Sequence, residues 1–184
     1  VVTPFLSYGK SAMIVNLAGI GILLSIAGRA AAEPSHPFRA PVRVLFNTHW
    51  HLPHTGGNEA VIKDDTTVIA HEHTRLWMST KFYVEWEDKR YVPRPAHALP
   101  NKTFFSHEQQ PLQADFLGER VLYEHLPEAH TDGDLYVRFP ERNVIVGGGA
   151  ATVDTYPTLD YITGGWVGVA GSVHQHELLG AGHA

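Results

Sequence analysis

The sequence predicts an α/β or α+β fold, on three observations. Short runs of β-branched and apolar residues alternate with helix-compatible stretches. Clusters of Gly, Pro, Asn and Asp punctuate those runs. The 184 residues are 43% hydrophobic and 18% charged, with no repeat and no low-complexity linker, so one domain with a sizeable core is expected over residues 1–184.

Met13 to Ala32 supports two readings. Lys10 precedes the apolar stretch Leu17 to Leu24, and Ala30, Ala31 and Ala32 follow, which is the outline of a secretory leader. Asn16 and Ser25 interrupt the run, and Gly19 with Gly21 fits a turn between two buried strands instead. A leader implies a periplasmic or secreted protein; strands fit a cytoplasmic one. The run is too short for a membrane span.

Glu33 to Pro41 contains three prolines and reads as a connection. Val42 to Phe46 is a buried strand. Thr55 to Asn58 marks a turn into a short helix over Glu59 to Lys63. Thr67 to Ala70 is the next strand, and Glu72 to Trp86 is helix-compatible, with Leu76, Phe82, Tyr83 and Trp86 apolar. Arg90 to Asn101 is loop. Thr103 to Phe105 and Arg120 to Tyr123 are strands around a Leu117–Glu119 turn, and Leu135 to Phe139 and Asn143 to Val146 complete the set.

Composition narrows function. A net charge of −5 gives no basic surface for nucleic acid. The absence of cysteine excludes disulfides, a thiolate nucleophile and thiolate metal sites. Histidine is the outlier: 13 residues against 14 Lys plus Arg. Imidazole is the commonest protein metal ligand. His49 and His51 follow directly on a strand, where alternate residues face one side and can reach one ion. His54 follows where the chain turns, and can serve a second, adjacent position. The bland alternative is a set of histidines with local hydrogen bonds.

The run Asn47-Thr48-His49-Trp50-His51-Leu52-Pro53-His54-Thr55-Gly56-Gly57-Asn58 is similar to the His-x-His-x-Asp-His motif of the metallo-β-lactamase superfamily. Ile69-Ala70-His71-Glu72, Ala129-His130-Thr131-Asp132-Gly133-Asp134, Phe139-Pro140, Asn143 to Val146, Tyr156 to Asp160 and Gly164-Gly165-Trp166 resemble later segments of that family in order. The likeness covers roughly Ser11 to Gly168 and is strongest over 42–168. It implies a four-layer αβ/βα sandwich with a site along one edge, shorter at its C-terminus than the family pattern. It also implies a first zinc site from His49, His51 and His130, with His54 belonging to a second. One zinc ion would then activate water for attack on an ester, lactone, amide or phosphoester.

Departures from the pattern bear on activity. Pro53 stands where the family has an aspartate for the second metal, Gly149 where an aspartate bridges the two metals, and Ile26 at an early aspartate turn. The second site is expected to be weakly held or empty. Asp at both 53 and 149 would be expected to raise metal content toward two. His183 superficially matches a last family histidine, with too few residues before it.

Other residues carry lesser expectations. His71 reads as structural, His73 as exposed on a helix face, Trp50 as a pocket wall, and Trp77, Phe82, Tyr83 and Trp86 as core aromatics. Asp132 and Asp134 either orient ligands or make turn chemistry around Gly133. His174 and His176 read as tail. Gly147-Gly148-Gly149 lacks the lysine and helix of a phosphate loop. A metal-dependent hydrolase acting on a small-molecule substrate is expected, with homo-oligomerisation open. The competing reading is a non-catalytic relative that binds or scaffolds, and metal content with chelator-sensitive turnover separates the two.

Overall fold

The structure is a computed structural model, describing residues 13–14, 22–24, 42–107, 111–116, 118–151 and 158–166. It is mixed α/β, built on two main sheets. Strands β1 (Met13–Ile14), β2 (Ile22–Leu24), β3 (Val44–Phe46) and β4 (Thr67–His71) come first, with helices α1 (Leu52–Thr55) and α2 (Asn58–Val61) between β3 and β4. Helix α3 (Glu72–Ser79) follows, then β5 (Phe82–Val84), β6 (Lys89–Tyr91), β7 (Lys102–Phe104), β8 (Leu112–Phe116), β9 (Glu119–Leu126), β10 (Asp134–Phe139) and β11 (Val144–Val146).

One sheet has the order β1-β11-β10-β9-β8 and the other β2-β3-β4-β7; β5 and β6 form a separate pair. The sheets face each other across one apolar core. Val44, Phe46, Ile69 and Phe104 from the four-stranded sheet meet Val121, Tyr123, Leu135, Val137, Phe139 and Val146 from the five-stranded one. The strand period of two explains the division of β3: Val44 and Phe46 point to that core, while Leu45 joins Val68 and Val42 in a second cluster with Val61 and Ile62. Strands β3, β4 and β7 run parallel, with Phe46 opposite Ile69 and His71 opposite Phe104. Parallel pairing needs crossover connections, which α1, α2 and α3 supply.

Several expectations change. The strand reading of Met13 to Leu24 gains two short strands, but they do not pair with each other: β1 lies parallel to β11 in one sheet and β2 antiparallel to β3 in the other. Gly19, Gly21 and Ile26 lie outside the described residues. The helix expected over 72–86 stops at Ser79. Thr80 is extended, and Phe82 and Tyr83 stand on β5 opposite Tyr91 and Arg90. Asp88, left-handed at φ 46, reverses the chain. The ring of Phe82 stacks on Tyr91, centroids 4.7 Å apart, so pairing within a hairpin outcompetes another helical turn. The sequence reading also passed over β8, which pairs antiparallel with β9 around a turn where Gly118 takes φ +82. Among the described residues no helix is long and apolar enough to cross a membrane.

Candidate metal centre

The end of β3 launches the histidines. Asn47, next in the chain, donates its amide N–H to the carbonyl of Ile69 at 3.0 Å, continuing the parallel ladder by one residue. Its side chain then closes a reciprocal pair with Asn58: Asn47 Nδ2 donates to Asn58 Oδ1 at 3.1 Å, and Asn58 Nδ2 donates to Asn47 Oδ1 at 2.9 Å. Asn58 also donates to the carbonyl of Ala98 at 2.8 Å. Both residues are buried, so each amide is satisfied where an unpaired one would be costly. Within the loop so closed, Thr55 Oγ1 donates to the carbonyls of Trp50 and His51. Leu135 of β10 donates its N–H to the carbonyl of Thr48 at 2.9 Å, tying the second sheet to the same loop.

His130 arrives from the turn between β9 and β10. That turn is zipped to the segment 158–166: Asp160 N donates to the His130 carbonyl at 2.9 Å, and Trp166 N to the Ala129 carbonyl at 3.0 Å. The backbones run so close that a Cβ on Gly165 would lie 2.2 Å from the His130 carbonyl oxygen. Glycine is required there by space.

These supports bring His49, His51 and His130 together. One ring nitrogen from each lies within 4.8 Å of the other two. Hydrogen bonds assign the tautomers. The Nδ1–H of His130 donates to the carbonyl of Thr158, leaving Nε2 with its lone pair. The Nε2–H of His51 donates to Asp160 Oδ2 at 2.9 Å, leaving Nδ1 with its lone pair. Those two lone-pair nitrogens face each other at 2.9 Å. His49 has Nδ1 beside Thr48 Oγ1 at 3.2 Å and Asp134 Oδ1 at 3.8 Å, and its Nε2 is buried without a hydrogen-bond partner. Three unprotonated imidazole nitrogens, converging and undonated, form the donor set that a divalent transition metal accepts. The residues present fit a metal ion.

Electrostatics agree. Burial, then the neighbouring imidazoles, push His49 well below its ordinary value, and burial lowers His130 as well. His54, its ring centroid 4.2 Å from that of His49, is held at about 4 by burial and by His130 and His51. All three favour the neutral, metal-binding form at neutral pH. Burial raises Asp160, but the hydrogen bonds from His51 and Thr163 outweigh it and hold the carboxyl below its usual value. A carboxylate behind a ligating imidazole fixes its tautomer and raises its basicity. Burial drives Asp134 up to about 8, despite the Thr131 N–H on its Oδ2.

The centre opens on a cavity of about 580 Å³. Trp50 forms part of its wall, anchored by its Nε1–H on Thr163 Oγ1 at 3.0 Å and flanked by Phe82 and Tyr91. Thr163 in turn donates to Asp160 Oδ2 at 2.7 Å, so wall and ligand share one chain of hydrogen bonds.

The expected residues are distributed as follows. His49, His51 and His130 converge; His54 lies beside His49 and lines the same cavity. His71 is fully buried away from the cluster, its Nε2 with Ser106 Oγ at 2.9 Å and its ring stacked on His125. His73, expected on an exposed face, is half-buried, with Nδ1 3.3 Å from Asp132 Oδ2. Asp132 also accepts from Trp77 Nε1, so it serves that turn, whereas Asp134 reaches His49. Pro53 is exposed at the cavity rim and offers no oxygen. Gly149 lines the cavity beneath His130, where a Cβ would meet the ring. His174, His176 and His183 lie outside the described residues. Thr158, Asp160 and Thr163 were given no role by sequence reasoning. Asp160 lay within the Tyr156–Asp160 stretch, but no spacing rule links it to His51, 109 positions away.

A histidine-lined metal-type centre at the edge of two facing sheets defines the class, and the family follows. Residues 32–177 match the model of the metallo-beta-lactamase superfamily, and the chain belongs to that superfamily. Similar solved structures include the BLEG-1 B3 metallo-beta-lactamase, at 12% identity and TM-score 0.53 over 73% of this chain and 62% of that one. The metallo-beta-lactamase IND-7 is 20% identical, at TM-score 0.49 over 79% and 57%. A metallo-beta-lactamase from Pontibacter korlensis is 21% identical, at TM-score 0.45 over 65% and 48%. The chain thus spans about half the length of the latter two relatives. No curated protein matches it. Likeness at this level concerns the fold; activity resides in the site.

Proposed function

We propose that this chain is a metal-dependent hydrolase holding one zinc ion through His49 Nε2, His51 Nδ1 and His130 Nε2. The observation that carries the reading is the trio of undonated imidazole nitrogens, two of them facing at 2.9 Å and the third buried without a partner. Zinc in a three-histidine site supplies water activation and polarises a carbonyl or phosphoryl group. The chain's own part is to hold the ligands: Asp160 fixes His51, the Thr158 carbonyl fixes His130, and Trp50 walls the substrate cavity. The substrate is a small ester, lactone, amide or phosphoester. His54 alone, beside Pro53, gives a second ion no carboxylate, so one ion per chain is the stoichiometry.

A second reading has its own support. Neither Pro53 nor Gly149 provides a carboxylate to position water, and Gly149 has no space for one. Loss of a positioned base commonly lowers rate by about 10²–10⁴, which suits a binding or scaffold protein on the same fold. Metal analysis of the purified protein, then hydrolysis of 4-nitrophenyl acetate, a γ-lactone and bis(4-nitrophenyl) phosphate with and without chelator, separates the two. One zinc per chain with chelator-sensitive turnover supports the hydrolase. Metal-free protein, or bound metal with no turnover of any of the three, supports the binding protein.

A further inference from the structure

A second cluster of imidazoles joins the two sheets outside the metal-site cavity. His71 ends β4 in the four-stranded sheet, opposite Phe104 of β7, and His125 stands on β9 in the five-stranded sheet. Their rings are parallel, with an interplanar angle of 3° and centroids 3.8 Å apart. Two residues beyond Phe104 the chain presents Ser106, whose Oγ lies 2.9 Å from His71 Nε2 and 3.1 Å from His125 Nδ1. The other ring nitrogens fix where the protons sit. His71 Nδ1 caps helix α3 by accepting the His73 N–H at 3.4 Å, so its Nε2 carries the proton and donates to Ser106 Oγ. His125 Nε2–H donates to the Asp132 carbonyl at 2.9 Å, so its Nδ1 keeps a lone pair and accepts the Ser106 hydroxyl. One directed chain results, from His71 through Ser106 and His125 to the Asp132 carbonyl. Both imidazoles are buried and the serine is exposed. Burial keeps His125 below its ordinary value, so it is neutral at neutral pH. The Asp132 carbonyl and the Asp132 and Glu72 carboxylates favour its cation, and His73 opposes it. A hydroxyl aimed at a neutral imidazole, itself oriented by a third group, is the arrangement that activates a serine.

We propose that Ser106, with His125 as its base, is a second nucleophilic centre of this chain, independent of metal, that takes the acyl group of small activated esters. Ser106 Oγ attacks the ester carbonyl carbon as its proton passes to His125 Nδ1. The Oγ–carbon bond forms, the bond from that carbon to the alcohol oxygen breaks, and the departing oxygen keeps the electron pair and takes the proton from His125. Water completes the cycle: His125 accepts one of its protons, its oxygen adds to the acyl carbon, and Oγ leaves with the proton as the carboxylic acid is released. The His71 Nε2–H holds the serine oxygen in place and favours its deprotonated form. Ser106, His71 and His125 are not among the residues lining the cavity of His49, His51 and His130, so the two centres act separately.

The test is reaction of the full chain, as purified and after chelation, with 4-nitrophenyl acetate. Release of 4-nitrophenolate is followed, and acetyl groups are located by peptide mass mapping, in wild type, Ser106→Ala and His125→Gln. Wild type is expected to show a burst that chelation leaves unchanged, with the acetyl group on Ser106. Its acetylation should run at least about 100-fold faster than that of Ser79, an exposed serine whose hydroxyl donates to the Leu76 carbonyl. Ser106→Ala is expected to abolish the burst, and His125→Gln to slow it by about 10²–10⁴. His125 is buried, so a thermal melt accompanies that variant; if it does not fold, the Ser106-to-Ser79 ratio in wild type decides alone. Acetylation of Ser106 no faster than of Ser79, or acetyl groups on lysines in its place, overturns the proposal. So does a burst that survives Ser106→Ala or runs undiminished in folded His125→Gln. The hydrolase reading fails separately, because turnover at the metal centre is lost on chelation and acylation of Ser106 is not.

Discussion

Gly149 lies so close beneath His130 that a Cβ built on it would stand 2.4 Å from the ring Cδ2 and 2.8 Å from Nε2. The glycine makes room for an imidazole whose Nε2 belongs to the converging histidine trio. Gly149→Ala is expected to displace that ring and lower zinc affinity by about tenfold or more, by analogy with other changes that misalign ligands. Gly149→Asp is expected to lower metal content rather than raise it. Competition with a chromogenic chelator measures both. Wild-type affinity in Gly149→Ala would show that the ring yields at no cost.

Asp160 holds His51 by its Nε2–H, and the Asp160 oxygen that does so also takes the Thr163 hydroxyl. Asp160→Asn keeps an acceptor but removes the charge. It should weaken metal binding by about 10–100-fold, with far-UV circular dichroism unchanged. The same competition assay reads the loss, and an affinity within threefold of wild type counts against the role given to this carboxylate.

Pro53 occupies the first turn of α1 and is exposed. Aspartate is favourable in a helix's first turn, so Pro53→Asp is expected to fold with stability within about 1 kcal/mol of wild type. It places a carboxylate one residue before His54, and zinc content should rise above one per chain. Elemental analysis of the folded variant decides it: a ratio still at one means that residue 53 does not face the second position.

Acid should destabilise the chelated protein. Burial lowers His71 to about 3, and burial lowers His54 to about 4. In the unfolded chain both titrate near about 6.5. Above that pH both states are neutral and the stabilising difference is complete. As pH falls from about 6.5 toward the folded values, the unfolded state takes up protons that the folded state refuses, costing about 1.4 kcal/mol per pH unit for each such histidine. Asp134, raised to about 8, works in the opposite direction and offsets about one of them between its unfolded and folded values. Burial raises Asp132 as well, but His49, His125 and His130 are also lowered, so below about 6.5 five histidines stand against two carboxylates and the balance stays with the histidines. Urea midpoints at pH 6.5, 5.5 and 5 should fall in that order, and less steeply in His71→Gln. A flat profile would contradict the burial of these rings.

The histidine run was legible because a strand-end His-x-His needs only the two-residue period to predict convergence, and β3 supplies it. The strands β4, β9, β10 and β11 were legible from their apolar runs. What escaped were features decided by tertiary contacts. Phe82 and Tyr83 fit an aromatic helix face as well as a hairpin, and only the partner Tyr91 and the left-handed Asp88 decide between them. Strand β8 alternates Leu112, Ala114 and Phe116 with Gln113 and Asp115, a half-buried edge whose polar half hid it. Asp160 and Thr158 meet His51 and His130 across 109 and 28 positions of sequence, a pairing that no local pattern encodes. The fit of Gly149 under His130 is likewise a matter of packing, which a comparison of motif letters cannot reveal.

The Asn47–Asn58 amide pair ties the two ends of the histidine-bearing segment into a ring of fixed circumference. Inserting or deleting a residue between them would rotate all its imidazoles away from His130 at once, whereas exchanging a side chain leaves the hoop intact. Proline at position 53 is compatible with that hoop, since α1 forms with it in the first turn. The frame that aims the ligands is set by backbone and paired amides and not by the side chains at the rim, so chemistry at this rim can be rewritten one position at a time without rebuilding the fold beneath it.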